Sequence, residues 1–256
     1  MKFSLCIPTM NRYDIFLSKH LPLYIENQLI SEIIITYENG EDIKKINNSN
    51  IDKTKLKLYT NEKRLGPFMN KLRACSYSTN EWIALIDSDN FADNKYFDVA
   101  NNYINNNKLF KTTILMPSKG NLNKLMNHSL NSLDYTYLNG KVFKKGNFGE
   151  LREFERLNKG NKTDINGLMN TGNYIINKYL LDNISLKDEN EIIEKSSARD
   201  VIYLNTLLFE QFNLEMHIVK DIEYIHTLHT GSIAIETDRL FPQINNYILN
   251  RFMNLR

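Results

Sequence analysis

The stretch Trp82-Ile83-Ala84-Leu85-Ile86-Asp87-Ser88-Asp89-Asn90 decides how the rest of the sequence is read. An unbroken apolar run stops at two carboxylates that flank a serine. A short apolar run bounded by polar residues is the pattern of a buried strand, although a buried helical segment shares it. Ligands of open α/β sheets bind just outside the carboxyl ends of the strands. A strand ending here therefore delivers Asp87, Ser88 and Asp89 to that edge. Two carboxylates so close together repel unless they share a proton or a cation. Their oxygens suit Mg²⁺ or Mn²⁺, and Mg²⁺ commonly takes one or two carboxylates together with substrate phosphates. Asp, Ser and Asn are also ordinary turn formers, so the surrounding sequence has to choose between a site and a plain turn.

Upstream, Lys2 to Ile7 reads as a first strand ending in Pro8-Thr9-Met10-Asn11-Arg12. Glu32 to Tyr37 reads as a second, closing in Glu38-Asn39-Gly40-Glu41-Asp42. Between them, Asp14 to Asn27 carries Ile15, Leu17, Leu21, Leu23 and Ile25 at roughly helical spacing. A third strand, Leu56 to Tyr59, leads to Asn61-Glu62-Lys63-Arg64-Leu65-Gly66-Pro67. Gly66-Pro67 opens a helix with proline near its first position, and Phe68, Leu72 and Cys75 form its apolar stripe. Strands alternating with helices, with polar loops after the strands, imply a parallel sheet with crossover helices. Neither the Rossmann glycine fingerprint nor the Walker P-loop is present, so neither a dinucleotide nor ATP is favoured.

Downstream, Asn94 to Asn106 reads as a helix and Thr112 to Met116 as a strand. Residues 117–165 are polar and without clear periodicity, which predicts a lid, a binding loop or a disordered segment. Gly167 to Asn173 is expected to be a loop entering a strand at Tyr174-Ile175-Ile176. Arg199 to Phe212 has the pattern of an amphipathic helix with Val201, Leu204, Leu208 and Phe212 on one side. Ile218 to Ile225 is the last expected strand, before His226-Thr227-Leu228-His229-Thr230-Gly231-Ser232. The apolar-striped helix from Phe241 to Leu255 lacks a strong basic face and is expected to pack on the domain rather than graze a membrane.

Composition narrows the class. Hydrophobic content of 42% and charged content of 24% are ordinary for a globular protein. A net charge of +2 with scattered basic residues gives no case for nucleic acid. Cys6 and Cys75 lie in apolar patterns without metal-ligand spacing, as expected of buried free thiols in a reducing compartment. The first apolar run is stopped by Pro8, too short for a signal peptide. No run approaches the ~20 residues of a membrane span. The expectation is a cytoplasmic protein, with peripheral membrane contact left open.

Taken in order, these loops resemble those of inverting GT-A glycosyltransferases of the broad family 2 kind. Ile7-Pro8-Thr9-Met10-Asn11-Arg12 is similar to the family's opening "P-T-x-N-R" loop. Leu65-Gly66-Pro67 follows, then Asp87-Ser88-Asp89 as its "D-x-D" element, then Ala198-Arg199-Asp200-Val201-Ile202-Tyr203-Leu204, similar to its "E-D-x-x-L" helix start. The resemblance implies a GT-A (Rossmann-like) α/β fold with a mostly parallel sheet flanked by helices. It implies one domain over 1–256, with a nucleotide-sugar half (1–110) and an acceptor half (111–256). By the same resemblance Pro8, Thr9, Arg12, Glu38, Arg64, Lys71, Asp87 and Ser88 meet the nucleotide. Glu38 takes the place of an acidic contact to the base, although Glu38-Asn39-Gly40 departs from the family's Asp-Asp loop. Arg64 and Lys71 either reach phosphate oxygens or are solvated charges. Asp87 and Asp89 hold ribose and a divalent cation, with His229, or His226 three residues before it, completing the metal site or touching the diphosphate. A histidine ligand favours Mn²⁺ over Mg²⁺.

The implied chemistry needs these residue types. Breaking the bond between an anomeric carbon and a diphosphate builds charge on the leaving group, which a cation stabilises. The acceptor hydroxyl must lose its proton to a carboxylate within reach. Asp200 fills that place, although an Asp at a helix start also simply complements the helix dipole. The implied function is metal-dependent transfer of a sugar from a UDP- or GDP-linked donor to a glycan or lipid-linked acceptor. A sugar-phosphate nucleotidyltransferase is one alternative, weakened because the loop after the first strand has no glycine. A non-catalytic nucleotide- or carbohydrate-binding module is the other.

Overall fold

A computed structural model describes residues 1–38, 41–127, 130, 132–186, 189–196, 199–230 and 240–255. In the first part of the chain four short parallel strands form side by side: β1 (Phe3–Thr9), β2 (Ile30–Tyr37), β3 (Leu56–Thr60) and β4 (Trp82–Leu85), in the order β3-β2-β1-β4. Their alternation sorts the apolar side chains by sheet face. Leu5, Ile33, Ile35 and Ala84 face one helical layer, while Cys6, Ile34, Ile83 and Leu85 face the other. The first layer holds α1 (Ser18–Glu26) and α4 (Asn94–Asn106), with Leu21, Tyr24, Tyr96 and Phe97 inward. Opposite lies α3 (Gly66–Ser76), contributing Phe68, Ala74 and Cys75.

The expected helix from Asp14 begins differently. Tyr13–Leu17 forms a turn of π-helix, in which the Leu17 amide reaches back to the Arg12 carbonyl at 3.2 Å. This extra residue per turn rotates the stripe, so Phe16, Leu17 and Tyr24 are buried while Ile15 and Leu23 stand 54% and 49% exposed. Single-turn insertions of this type are common beside functional sites.

Beyond β4 the sheet changes character. β8 (Tyr174–Asn177) is inserted antiparallel between β4 and β5 (Thr113–Lys124), and β9 (Glu215–Leu228) then runs parallel to β5. Short antiparallel strands β6 (Leu133–Asp134) and β7 (Val142–Lys144) complete nine strands among the described residues. The sheet is mixed α/β and mostly parallel, as expected. β5 extends well beyond the expected Met116, and β9 begins before the expected Ile218. In β9 a bulge sets Pro117 against Val219 but Lys119 against Glu223, with Asp221 at φ +66°.

The stretch 117–165 is not a lid or an unstructured loop in its described residues. It holds β6, β7 and α5 (Phe148–Asn158), and its Tyr135, Leu138, Phe143, Phe148 and Leu151 are buried in the core. The apolar residues are too widely spaced to give one period, because each anchors a different short element. Likewise Gly167-Leu168-Met169 belongs to a short helix, α6 (Ile165–Met169), rather than to a loop. The helix expected from Arg199 is α9 (Asp200–Gln211), and it is buried on every side from Asp200 to Phe209 rather than amphipathic. The C-terminal α10 (Pro242–Met253; the intervening helices are α2, Asp42–Asn48, α7, Lys178–Asn183, and α8, Asn190–Lys195) covers its outer side. Ile248 and Phe252 of α10 are fully buried there, and Arg251 bridges Glu189 and Glu210 at 2.9 and 2.6 Å. That helix packs on the domain. Among the described residues no helix is long and apolar enough to cross a membrane.

Candidate functional site

The carboxyl ends of β1, β2 and β4 gather their loops at one edge, and buried acids hold those loops in place. After β1 the chain turns through Asn11 at φ +56°, a conformation that Asn tolerates better than most residues. Asp42, the first residue of α2, locks this turn. Its carboxylate accepts the Thr9 hydroxyl at 2.7 Å, the Arg12 amide at 3.0 Å and the Tyr13 amide at 2.9 Å. Asp42 is 2% exposed and was not singled out from the sequence. The available signal was a second acid in the loop after β2, which a parallel sheet brings beside the loop after β1.

Glu38 performs a similar service one strand over. Its carboxylate accepts the Leu65 amide at 2.5 Å, tying the end of β2 to the loop before α3. Burial raises its proton affinity above the usual range, with the Leu65 and Gly66 amides and the Arg64 charge opposing. Gly66 takes φ +81°, where a side chain would be strained, and this lets the loop fold onto Glu38 and start the helix. Arg64 lies exposed on the rim. Pro8, next to last in β1, pairs with Thr36 and is half-buried. The expected base-side segment continues into Asn39-Gly40, which lie outside the described residues.

Asp87, Ser88 and Asp89 follow β4 directly, as the sequence implied. The Asp87 amide donates to Asn173 Oδ1 at 3.0 Å, the Asn90 amide closes the turn onto the Asp87 carbonyl at 2.9 Å, and Asn90 Oδ1 accepts the Thr227 amide at 3.0 Å. Ser88 is buried within this turn. Neither Asn173 nor Asn90 was singled out from the sequence, because an amide that only anchors a turn leaves no spacing pattern.

Asp89 and His229 meet across the fold, with Asp89 Oδ2 at 2.9 Å from His229 Nε2 and 4.0 Å from Arg12 Nε. Burial disfavours the charged Asp89, but the His229 hydrogen bond and the Arg12 and His226 charges outweigh it and hold the carboxyl below its ordinary range. Phe16, from the π-turn, packs on the His229 ring at 5.1 Å. His226 is placed differently, with Nδ1 at 3.4 Å from the Tyr224 hydroxyl. His229 is hydrogen-bonded to Asp89, while His226 lines the neighbouring cavity together with Asp87. Gly231-Ser232 of that segment lie outside the described residues.

Asp200 begins α9 as expected, 5% exposed, and its preceding Ala198 lies outside the described residues. Burial raises its proton affinity, with Lys71 opposing. Lys71 does not lie among solvated charges. Its Nζ is buried at 2.7 Å from Asp200 Oδ2 and 3.2 Å from Asp87 Oδ1. Burial resists its charge, but the two carboxylates outweigh that and raise its proton affinity, so it remains an ammonium ion.

Beside this edge opens a cavity of about 450 Å³. Asp87, Asn166, Asn170, Asn173, Tyr224 and His226 give it a polar wall, and Leu133, Ile202 and Leu249 an apolar one. Arg199 and Ile202, on either side of Asp200 in sequence, both line it. Such a mixture of apolar surface with several donors and acceptors suits a polyhydroxylated ligand. Among the described residues, no three His, Cys, Asp or Glu side chains form a closed cation cage. Asp89 and His229 offer one carboxylate and one imidazole, hydrogen-bonded to each other, so a cation held there would need the rest of its shell from substrate oxygens.

No protein-family model matches this sequence, and no curated protein matches it. Solved structures match its fold. Residues 1–349 of S. aureus TarS in complex with UDP-GlcNAc align with a TM-score of 0.66 at 14% identity, over 100% of this chain and 67% of that one. The complex of the same fragment with UDP gives 0.63 at 15% identity, over 100% and 66%. S. aureus TarS gives 0.59 at 15% identity, over 99% of this chain and 44% of that one. The chain thus spans about two thirds of the matched TarS fragment. It has the fold of GT-A glycosyltransferases, as its resemblance implied.

Proposed function

We propose that this chain transfers a sugar from a UDP-linked donor to a hydroxyl of a glycan or lipid-linked acceptor, with inversion at the anomeric carbon. The observation that carries the reading is the convergence of Asp87, Asp89, Arg12 and His229 at the strand ends, beside a cavity with one polar and one apolar wall and the buried Asp200. The likeness in fold to TarS bound to UDP and to UDP-GlcNAc supports the donor class. In this reading residues 1–110 bind the donor and 111–256 the acceptor, within one domain.

Pro8, Thr9, Arg12 and Glu38 border the nucleotide, with Arg64 on the rim, and Asp87 and Ser88 meet the ribose and diphosphate. Asp89 and His229 would hold a divalent cation, Mn²⁺ or Mg²⁺. Such a cation, when bound, stabilises the negative charge that builds on the leaving diphosphate. Arg12 adds a fixed positive charge at the same place. Asp200 accepts the acceptor hydroxyl proton while the oxygen attacks and the anomeric bond to diphosphate breaks. Its raised proton affinity makes it a better base once ionised.

A thermal-shift panel of nucleoside diphosphates with Mn²⁺, Mg²⁺ or EDTA tests the donor site. UDP is expected to raise the melting temperature in a metal-dependent way, and D89N to lose that rise. Ligand at a hundredfold excess over its Kd stabilises by about 2.7 kcal/mol. No shift with any nucleoside diphosphate overturns the donor reading. UDP binding without transfer from UDP-sugars to any glycan returns the chain to a binding module.

A further inference from the structure

Lys71 is a buried ammonium ion with two acidic partners from opposite halves of the chain. Asp87 comes from the turn after β4, and Asp200 comes from α9, 129 residues beyond Lys71. The side chain is 11% exposed, and those of Asp87 and Asp200 are 30% and 7% exposed. A group so buried has little access to a phosphate, and its hydrogens already point at carboxylate oxygens. Removing one partner of a buried charged cluster leaves the others uncompensated.

The surroundings fix this arrangement further. Gly172 lies against it, and a Cβ there would sit 2.9 Å from Val201 Cγ2, 3.5 Å from Asp87 Oδ2 and 3.7 Å from Lys71 Cε. Gly172 therefore packs against Val201, Asp87 and Lys71 with no room for a side chain. The adjacent Asn173 side chain holds the Asp87 amide. Asn205, one turn and a half along α9 from Asp200, donates to the Met169 carbonyl at 2.8 Å and so ties the end of α6, just before the strand-entry segment 171–173, to the helix.

From this geometry we infer that Lys71 is a positioning residue: its ammonium joins the Asp87 turn to the Asp200 carboxylate and aims that carboxylate at the acceptor hydroxyl. The inference rests on the glycosyltransferase reading of Asp200. It differs from a phosphate-binding lysine in what it predicts. A phosphate contact adds donor affinity, whereas a positioning contact acts on turnover after the donor is bound. A group misplaced by an ångström can lose about a hundredfold in rate.

The test uses the full chain with UDP as binding probe and UDP-GlcNAc as donor, comparing wild type, K71M, K71R, D200N and K71M/D200N. UDP affinity is read by calorimetry, and kcat and donor KM by release of UDP in the presence of acceptor. For K71M the expected result is a kcat lower by about a hundredfold with UDP affinity within threefold of wild type. K71R keeps the charge and is expected to recover at least a tenth of wild-type kcat. The double variant is expected to be no slower than D200N, because both residues serve one proton transfer. A K71M protein that binds UDP tenfold or more weakly but keeps its kcat at saturating donor overturns the inference in favour of a phosphate contact. A double variant slower than D200N by the full K71M factor overturns it as well. Should K71M not fold, the same split between kcat and UDP affinity is read from K71R. Undiminished turnover in D200N refutes the base assignment itself, whereas a silent D200N with a fully active K71M refutes only the role of Lys71.

Discussion

The two sides of the site are built by opposite means. On the proposed nucleotide side, two buried acids are engaged by backbone amides: Asp42 takes those of Arg12 and Tyr13, and Glu38 takes that of Leu65. Loops held this way are set before any ligand arrives, which suits a part of the substrate that stays the same from turnover to turnover. On the cavity side, the wall is made of amides and hydroxyls from α6, the segment after it, and β9. There the buried Asn166 Oδ1 has no hydrogen-bond partner among the described residues. A buried acceptor without a partner is a cost that a ligand donor can relieve. On the proposed function, the difference teaches that the nucleotide side would be preorganised by the protein alone, while the cavity would be completed by what enters it.

That contrast can be broken at either end. The largest effect is expected from D200N, which keeps shape but removes the proposed base. A loss of about 10²–10⁴ in kcat is expected, with calorimetric UDP affinity unchanged, and a weakened UDP affinity would place Asp200 on the nucleotide side instead. D42A comes next. It strands the Arg12 and Tyr13 amides and the Thr9 hydroxyl, so a loss of about 2–3 kcal/mol in unfolding free energy is expected from denaturant melts. UDP affinity should fall with it, and full UDP affinity in D42A would show that the loop is not preset by Asp42.

A third change sharpens the comparison from outside the site. Glu32 lies at the opposite, amino-terminal edge of the sheet, where Ser4, Lys57 and Thr79 bind its carboxylate. Burial opposes its charge, but those hydrogen bonds win and depress its pKa from 4.5 to about 2. A depressed carboxyl stabilises the fold above the unfolded value, and this contribution is lost as pH falls from 4.5 through 2. E32Q should therefore lower the melting temperature at neutral pH and flatten its decline between pH 5 and pH 2, leaving UDP affinity alone. The smallest effect is expected from N166A, which should raise the acceptor KM about five- to tenfold while donor KM stays fixed. A change in donor KM instead would mean that the cavity belongs to the nucleotide side.

Legibility followed the same division. The four parallel strands were readable because each is a short apolar run ending in a polar loop, and that pattern is local. Asp87, Ser88 and Asp89 could be placed because they close an apolar run, whereas Asp200 was singled out only by the resemblance of its helix start to that of the family. Residues 117–165 were misread because Leu133, Tyr135, Leu138, Phe143, Phe148 and Leu151 anchor separate short elements and share no period. The full burial of α9 was missed for a related reason. Its polar Asn205 and Thr206 suggest an exposed face, yet both are buried, with their side chains bonded to the Met169 and Ile202 carbonyls.

Sequence by itself determined the class of the sheet, the loop that carries the paired carboxylates and the acid at the start of α9. Spacing of two and of about 3.6 residues fixes which side chains share a face, and strand ends fix where loops gather. Partner choice was decided only by the tertiary structure. Lys71 meets Asp200, Asp89 meets His229 and Asp42 meets the loop after β1 because distant elements pack at set distances. A hydrogen bond across 129 or 140 residues leaves no local period in the chain. The antiparallel insertion of β8 between β4 and β5 was decided in the same way, since strand pairing is settled by which apolar faces the packed core leaves to be covered.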